Sequence, residues 1–180
     1  MSKTKLKKYL QTLTHEQIVQ VVMDLYDARK AAKEYLEFFM DPNPSDALEK
    51  AKKQLLRLYF TPQGAPRARV STKEGNDLIA DFIKLDIDPE MSSDLMMYHA
   101  EIMISRLVLR HIHRETAWNS VITAFRKAID YIISFNLSDL MNRRIEKFLD
   151  YSLHSPDYLR IPERLRQELD ETGFNLSDDE

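Results

Sequence analysis

The sequence has 180 residues, of which 26 are Lys or Arg and 29 are Asp or Glu, with 5 His, 3 Gly and no Cys. The missing cysteines exclude disulfides, thiolate metal centres and a cysteine nucleophile. Gly64, Gly75 and Gly173 are too far apart for a Rossmann or Walker phosphate loop, which needs clustered glycines for its tight turn. A chain of this length can bury about 70% of its unfolded surface, so we expect one domain.

The amino-terminal residues argue against export and against membrane insertion. The first eight residues carry four lysines and continue into an amphipathic segment, so we expect no signal peptide. Apolar runs are only a few residues long, whereas about 18 consecutive apolar residues are needed to span a bilayer. We therefore expect a cytoplasmic protein that makes no membrane contact.

Apolar residues recur at intervals of three and four along most of the chain, which predicts an all-α protein. We expect a single compact multi-helical domain of about eight helices arranged as irregular hairpins. Thr14, with Gln17 three residues later, has the capping-box pattern that opens the second helix. Residues 29–40 either continue this helix or follow a bend. The side chains expected to face inward in these segments are Ile18, Val21, Val22, Leu25, Tyr26, Tyr35, Leu36 and Phe39.

Proline and glycine mark the boundaries in the middle of the chain. The run Asp-Pro-Asn-Pro ending at Pro44 predicts a stop and a restart, followed by a helix that reaches Tyr59. Loop 61–70 is the longest turn-rich stretch and is predicted to divide the domain into halves. Residues 1–73 carry 14 basic and 8 acidic side chains and residues 74–180 carry 12 and 21, which gives net charges of +6 and −9. We expect these halves to attract one another or to attract different partners.

A long helical hairpin is expected at the centre of the domain, with helices at about 92–113 and 115–135. A further helix is expected from Ser138, and a last amphipathic segment is ended by Gly173. The predicted domain covers residues 1–173, and residues 174–180 are predicted to form a disordered acidic tail.

The predicted helix at 92–113 carries polar residues on an otherwise apolar circumference, which predicts a central position. Asp94, Glu101 and Ser105 fall on an arc flanked by apolar residues, so we expect them to be at least partly buried. A buried carboxylate is costly unless it is paired, which makes these residues candidates for a packing network or for a ligand site. The packing network is the favoured interpretation, and we expect no metal and no other cofactor, since no Glu-x-x-His pair of the di-iron type occurs.

The same helix carries a second set of polar residues, His99, Arg106, Arg110 and His113. At the helical rotation of 100° per residue these four side chains fall within about 60° of one another. We expect them to form a solvated stripe that faces a partner.

Basic residues suggest a candidate phosphate patch. Lys50, Lys53 and Arg57 follow one helix face, and Arg67 and Arg69 follow in the loop. The four lysines of the amino terminus could extend this patch. An ordinary solvated face is the favoured interpretation, because acidic residues are interspersed and the net charge of the chain is −3.

Several short strings of residues are spaced along the predicted helices as in a known family. They are Leu6-Lys7-Lys8-Tyr9-Leu10, Thr14-His15-Glu16-Gln17-Ile18, Leu25-Tyr26, Glu34-Tyr35-Leu36, Asp41-Pro42-Asn43 and Asp94-Leu95-Met96, with Glu101 and Ser120. In these strings the chain resembles a family of small bacterial all-helical proteins of unknown function, over roughly residues 4–150. The resemblance implies a compact intracellular α-fold and no established activity. It supplies no site residues, although Asp94 and Glu101 lie in the matching stretch.

These features favour a non-enzymatic interaction or scaffold module that offers a helical groove or a charged face to an unknown protein partner or to a second copy of itself. Two alternatives stay open. One is a nucleic-acid-associated accessory protein that uses the basic amino-terminal half. The other is a metal- or ligand-dependent enzyme that uses Asp94 and Glu101.

Overall fold

The structure is a computed structural model that describes residues 2–174 and residue 176. Within this part of the chain it contains nine α-helices, one 3-10 turn and no β-strand, which confirms the all-α prediction. The predicted tail at 174–180 lies outside the described residues except for Phe174 and Leu176, and the Phe174 side chain is buried. No helix of the described chain is long and apolar enough to cross a bilayer.

The contacts divide the chain into two compact units, and the first ends at Asn43. It contains α1 (Lys3–Leu10), α2 (His15–Ala28) and α3 (Lys30–Met40). The predicted capping box opens α2, since the Thr14 hydroxyl accepts from the Gln17 amide and the Gln17 side chain accepts from the Thr14 amide. The extended backbone of Arg29 ends α2, so α3 is a separate helix that packs against α2.

The second unit begins at Pro44 and is built around a long helical hairpin. The two central helices are α6 and α7, as the sequence predicts, and α6 also packs against α4 and α5. The last helix, α9, packs against α7 and α8. The bounds in this unit are α4 (Pro44–Tyr59), α5 (Thr72–Ile83), α6 (Pro89–Leu109), α7 (Glu115–Ser134), α8 (Ser138–Ser152), the 3-10 turn Asp157–Leu159 and α9 (Ile161–Thr172).

The helix α6 begins and ends earlier than predicted. Asp88 caps its first turn by accepting a hydrogen bond of 2.9 Å from the Glu90 amide. At the other end His111 adopts a left-handed conformation with φ of 48°, which turns the chain away from the helix axis. Trp118 then fixes this turn, because its indole nitrogen donates to the carbonyl of Ile112 at 2.7 Å.

Loop 61–70 does not separate two compact units, because it is fastened to the helices on both sides of it. Phe60 and Pro66 form an isolated β-bridge, and the Arg67 amide donates to the Tyr59 carbonyl at 2.8 Å. Side chains of α6 also bind the backbone of this loop. The division between compact units therefore falls at Asn43, where the chain passes two prolines.

The hydrophobic core of the second unit lies between α6, α7, α8 and α9. Trp118 and Phe125 are fully buried, and the rings of Phe125 and Phe148 stack with their centroids 5.0 Å apart. The last helix contributes Ile161, Leu165 and Leu169 to this core. The segment after Tyr151 is thus part of the folded unit.

Candidate functional site

Asp94 and Glu101, the two carboxylates singled out from the sequence, share one guanidinium group. Arg144 on α8 donates to both oxygens of Glu101, from Nε at 3.0 Å and from a terminal nitrogen at 3.1 Å. Its other terminal nitrogen is paired with Asp94. The three side chains are each about one quarter to one third exposed, with values of 25%, 33% and 23% for Arg144, Glu101 and Asp94. The guanidinium group of Arg144 therefore joins α6 to α8.

A second cation joins the same network from α4. Lys52 lies 2.5 Å from the remaining oxygen of Asp94, and its ammonium stands 5.8 Å from the centre of the Tyr98 ring. Burial raises the pKa of Glu101 to about 7, and the charge of Lys52 acts in the opposite direction. Glu101 is therefore close to its point of half-ionisation at neutral pH, where the charge of Lys52 favours the ionised form. Burial also lowers the pKa of Arg144 to about 10, which leaves it charged.

The arrangement fits a packing network better than a catalytic or metal site. Each carboxylate already faces a cationic side chain, which competes with a metal ion for the same oxygens. Ser105 takes no part in the network, because its hydroxyl donates to the Glu101 backbone carbonyl at 2.7 Å. Among the described residues there is no group of three or more His, Asp or Glu side chains that could hold a metal ion.

His99 lies in a second polar cluster, and the structure buries it to 1% exposure. Its Nε2 atom shares a hydrogen bond of 2.8 Å with the hydroxyl of Tyr59 on α4. On α5, Gly75 makes room for the ring, since a Cβ atom at this position would lie 2.5 Å from Nε2. Burial lowers the pKa of His99 to about 4 and raises the pKa of Tyr59 to about 12, so both groups are neutral at physiological pH.

The predicted solvated stripe on α6 is wrong for two of its four residues. His99 is covered by α4 and α5, and Arg106, at 7% exposure, is covered by the backbone of the loop. Arg110 and His113 are exposed, and His113 follows the end of the helix, where its ring stacks on Tyr158. A helical projection gives the angle of each side chain but does not show which neighbouring element covers it.

The candidate phosphate patch is only partly assembled as predicted. Lys50 forms an ion pair of 2.7 Å with Asp46 one turn earlier, whereas Lys53, Arg57 and Arg69 are exposed. Arg67 folds back on α4, where its Nε donates to the Arg57 carbonyl at 2.8 Å. Arg106 and Arg110, at the end of α6, also reach this place, and no local spacing in the sequence links them to residues 57–69.

The clefts in the described part of the second unit include one beside α9 and one beside α5. The larger, of about 470 Å³, lies between the start of α7 and α9 and is lined by His113, Glu115, Tyr158 and Arg164, among others. The smaller, of about 200 Å³, is lined by Asn76, Met103, Asn119 and Lys127, among others. Both are shallow and carry no cluster of groups arranged for acid–base or nucleophilic chemistry.

The first unit carries a large apolar surface that contradicts the prediction of inward-facing residues. None of its described residues is buried in α1, α2 or α3. The exposed fraction reaches 49% for Leu25 and 74% for Phe39. We call the following set the N-terminal apolar surface: Leu6, Tyr9, Val19, Val21, Val22, Met23, Leu25, Tyr35, Phe39 and Met40.

Comparison with known proteins identifies the family. A family model described as "Family of unknown function (DUF6155)" matches residues 1–159. The chain belongs to the DUF6155 family. No curated protein and no solved structure matches the chain.

The DUF6155 match covers both the N-terminal apolar surface and the polar clusters around α6. It extends beyond the stretch of roughly 4–150 over which the sequence resembles a helical family. The match ends before α9, whose Leu165 and Leu169 are nevertheless buried against the rest of the second unit. The family assignment confirms the resemblance to a family of unknown function and assigns no activity.

Proposed function

We propose that this chain is a protein-interaction module in which the N-terminal apolar surface binds the same surface of a second copy. The observation that carries the proposal is the absence of any buried residue in the three helices of the described N-terminal unit, residues 2–43. A unit of this size has too little core to be stable by itself. Large exposed apolar patches of this kind mark interaction surfaces.

The area available matches what a stable dimer needs. If a large side chain exposes about 200 Å² when fully accessible, the ten residues of the N-terminal apolar surface together leave on the order of 1,000 Å² exposed. A specific interface buries about 800 Å² on each partner. Residues 19 and 23 lie about 200° around α2 from residues 21 and 25, so a second copy reaches this area by covering both sides of the helix.

The charges of the unit also favour a second copy. Its 7 basic and 6 acidic side chains nearly cancel, so two copies do not repel strongly. The charges are separated along the unit, because α1 carries four lysines and no acid, whereas α2 carries Glu16, Asp24 and Asp27 and no Lys or Arg. Two copies related by a twofold axis can place α1 of one near α2 of the other.

Sedimentation equilibrium of the full chain tests the proposal. We expect a concentration-dependent mass that approaches twice the chain mass of 21.2 kDa. Leu25→Glu and Phe39→Glu place a charge on the N-terminal apolar surface, so each is expected to weaken association by tenfold or more, because a buried unpaired charge costs several kcal/mol.

Leu140→Glu is the matched control, because Leu140 is 56% exposed and lies on α8 in the second unit. This variant is expected to dimerise like the unmodified chain. A 21.2 kDa monomer at every concentration contradicts the proposal. Equal weakening by all three substitutions also contradicts it.

A further inference from the structure

Six arginines surround the loop that follows α4, and we call them the arginine cluster: Arg57, Arg67, Arg69, Arg106, Arg110 and Arg114. Two of them, Arg106 and Arg110, bind the backbone carbonyls of residues 66–68. On the α4 side, Nε of Arg67 donates to the carbonyls of Arg57 at 2.8 Å and Phe60 at 3.2 Å. The loop therefore carries one guanidinium to the surface beside the end of α4.

The other side of the same loop is held by α6. Arg106 donates from Nε to the Arg67 carbonyl at 2.9 Å and from a terminal nitrogen to the Ala68 carbonyl at 3.0 Å. One turn later Arg110 donates to the Pro66 carbonyl at 3.2 Å. These bonds hold the loop between the two helices, so the loop arginines lie between the end of α4 and the end of α6.

The positive charge of the arginine cluster is not balanced by neighbouring acids. In the described chain, none of the six arginines forms an ion pair with a carboxylate. The arginines of other helices do, as Arg126 and Arg144 show. Burial lowers the pKa of Arg106, and the charges of Arg110 and Arg114 lower it further, which shows that like charges are held close together.

We propose that the arginine cluster binds the phosphate backbone of a nucleic acid. Guanidinium groups present planar pairs of N–H donors that match phosphate oxygens. Arg57, Arg69 and Arg114 are exposed and free to contact phosphates, while the buried Arg106 positions the loop. Several guanidiniums supplied by two helices and a loop fit a polyanion better than a single phosphate.

The cluster differs from the patch expected from the sequence. Lys50 is engaged by Asp46, and the lysines of α1 belong to the other compact unit. Arg106, Arg110 and Arg114 take their place. This surface shares no residue with the N-terminal apolar surface, so the binding proposal does not depend on self-association.

Fluorescence anisotropy with labelled oligonucleotides of mixed sequence, one RNA and one duplex DNA, tests the proposal on the full chain. Five exposed arginines predict a slope of about −4.5 for log affinity against log salt on duplex DNA, or a loss of about 500-fold between about 50 and 200 mM salt. The triple variant Arg57→Gln, Arg69→Gln and Arg114→Gln removes three charges that make no structural bond to the loop. It is expected to reduce the steepness of the slope by about three and the low-salt affinity by at least tenfold.

A second triple variant is the matched control: Arg143→Gln, Lys147→Gln and Arg166→Gln, on exposed positions of α8 and α9, removes the same net charge. It is expected to change the affinity less than twofold, and circular dichroism checks that both triple variants are folded. Binding of either oligonucleotide that is lost only in the first variant supports the proposal. No anisotropy change at low salt, equal losses in both variants, or binding to phosphatidylserine vesicles without oligonucleotide binding overturns it.

Discussion

Burial lowers the pKa of His99 to about 4, whereas a histidine in the unfolded chain titrates near 6.5. Between these pH values the unfolded chain binds a proton that the folded chain does not. Stability is therefore complete above about pH 6.5 and falls as the pH is lowered toward 4. At pH 5 this residue alone is expected to cost about 2 kcal/mol relative to pH 7.

Urea denaturation at pH 7 and pH 5 measures this effect. His99→Gln keeps a side chain that can hydrogen-bond the Tyr59 hydroxyl but cannot titrate, so its loss of stability at pH 5 should be smaller by about 2 kcal/mol. The carboxylates of the chain titrate in both proteins and cancel in the comparison. An identical pH dependence of the two proteins contradicts the assignment of His99 as a buried neutral residue.

Replacing Gly75 is expected to destabilise the protein, because the buried ring of His99 occupies the space beside it. Ala normally stabilises a helix by about 1 kcal/mol over Gly, but here its Cβ would lie 2.5 Å from Nε2 of His99. Overpacking of this kind costs about 1–3 kcal/mol, so Gly75→Ala should be net destabilising. In a His99→Ala background the ring is absent, and the same substitution should be neutral or stabilising. A double-mutant cycle by chemical denaturation decides the point, and equal costs in both backgrounds contradict it.

At the residue scale the sequence indicates which side chains are unusual but not how each is satisfied. The helical projection places Asp94 and Glu101 between apolar residues on the surface of the helix. In the structure both side chains are partly exposed and lie beside Arg144. Their partner lies 50 residues after Asp94 and 43 residues after Glu101, on a helix whose register no local pattern specifies. The role of Gly75 is hidden for the same reason, because the ring it accommodates belongs to another helix.

At the level of elements, Arg144 joins α8 to α6. Its removal leaves the partly buried carboxylates of Asp94 and Glu101 without the guanidinium group that they share. Arg144→Met is expected to lower the free energy of unfolding by about 2 kcal/mol at pH 7, below the range for fully buried pairs because these side chains are partly exposed. The cost should shrink near pH 5, because Glu101, whose pKa burial raises to about 7, is then protonated and no longer needs a cationic partner.

The adjacent residue gives a control of identical chemistry. Arg143 is exposed on α8, so Arg143→Met should change the free energy of unfolding by less than about 0.5 kcal/mol. Thermal or urea denaturation at the two pH values separates the two outcomes. Equal effects of both substitutions, or a cost for Arg144→Met that does not depend on pH, contradict the network.

Element boundaries were predictable where a local signal acts. The Thr14 hydroxyl caps α2 by accepting from the Gln17 amide, and Gly173 ends α9 in a left-handed conformation. The end of α6 was placed four residues late, because the turn depends on the left-handed His111 and on a bond from Trp118 in the next helix. Tertiary contacts thus decide what a periodic pattern leaves open.

For the whole molecule, the net charge of −3 conceals surfaces of different character. The arginine cluster is a local excess of positive charge, and the N-terminal apolar surface is nearly neutral. Periodicity predicted the helices of the first unit correctly but could not show that their apolar faces lack cover, since the same pattern serves a core and an interface. The boundary between the units was likewise not predictable from local sequence. Loop 61–70 looks like a boundary, but side chains distant in sequence bind its backbone, and the division falls at Asn43.

Amide hydrogen exchange followed by mass spectrometry, at low and high protein concentration, tests the central claim of self-association most directly. A helical unit without buried residues exchanges rapidly unless something covers it. We predict that protection of α2 and α3 rises with protein concentration, while protection of the central helices α6 and α7 stays unchanged. Protection of α2 and α3 that is the same at both concentrations would contradict the claim.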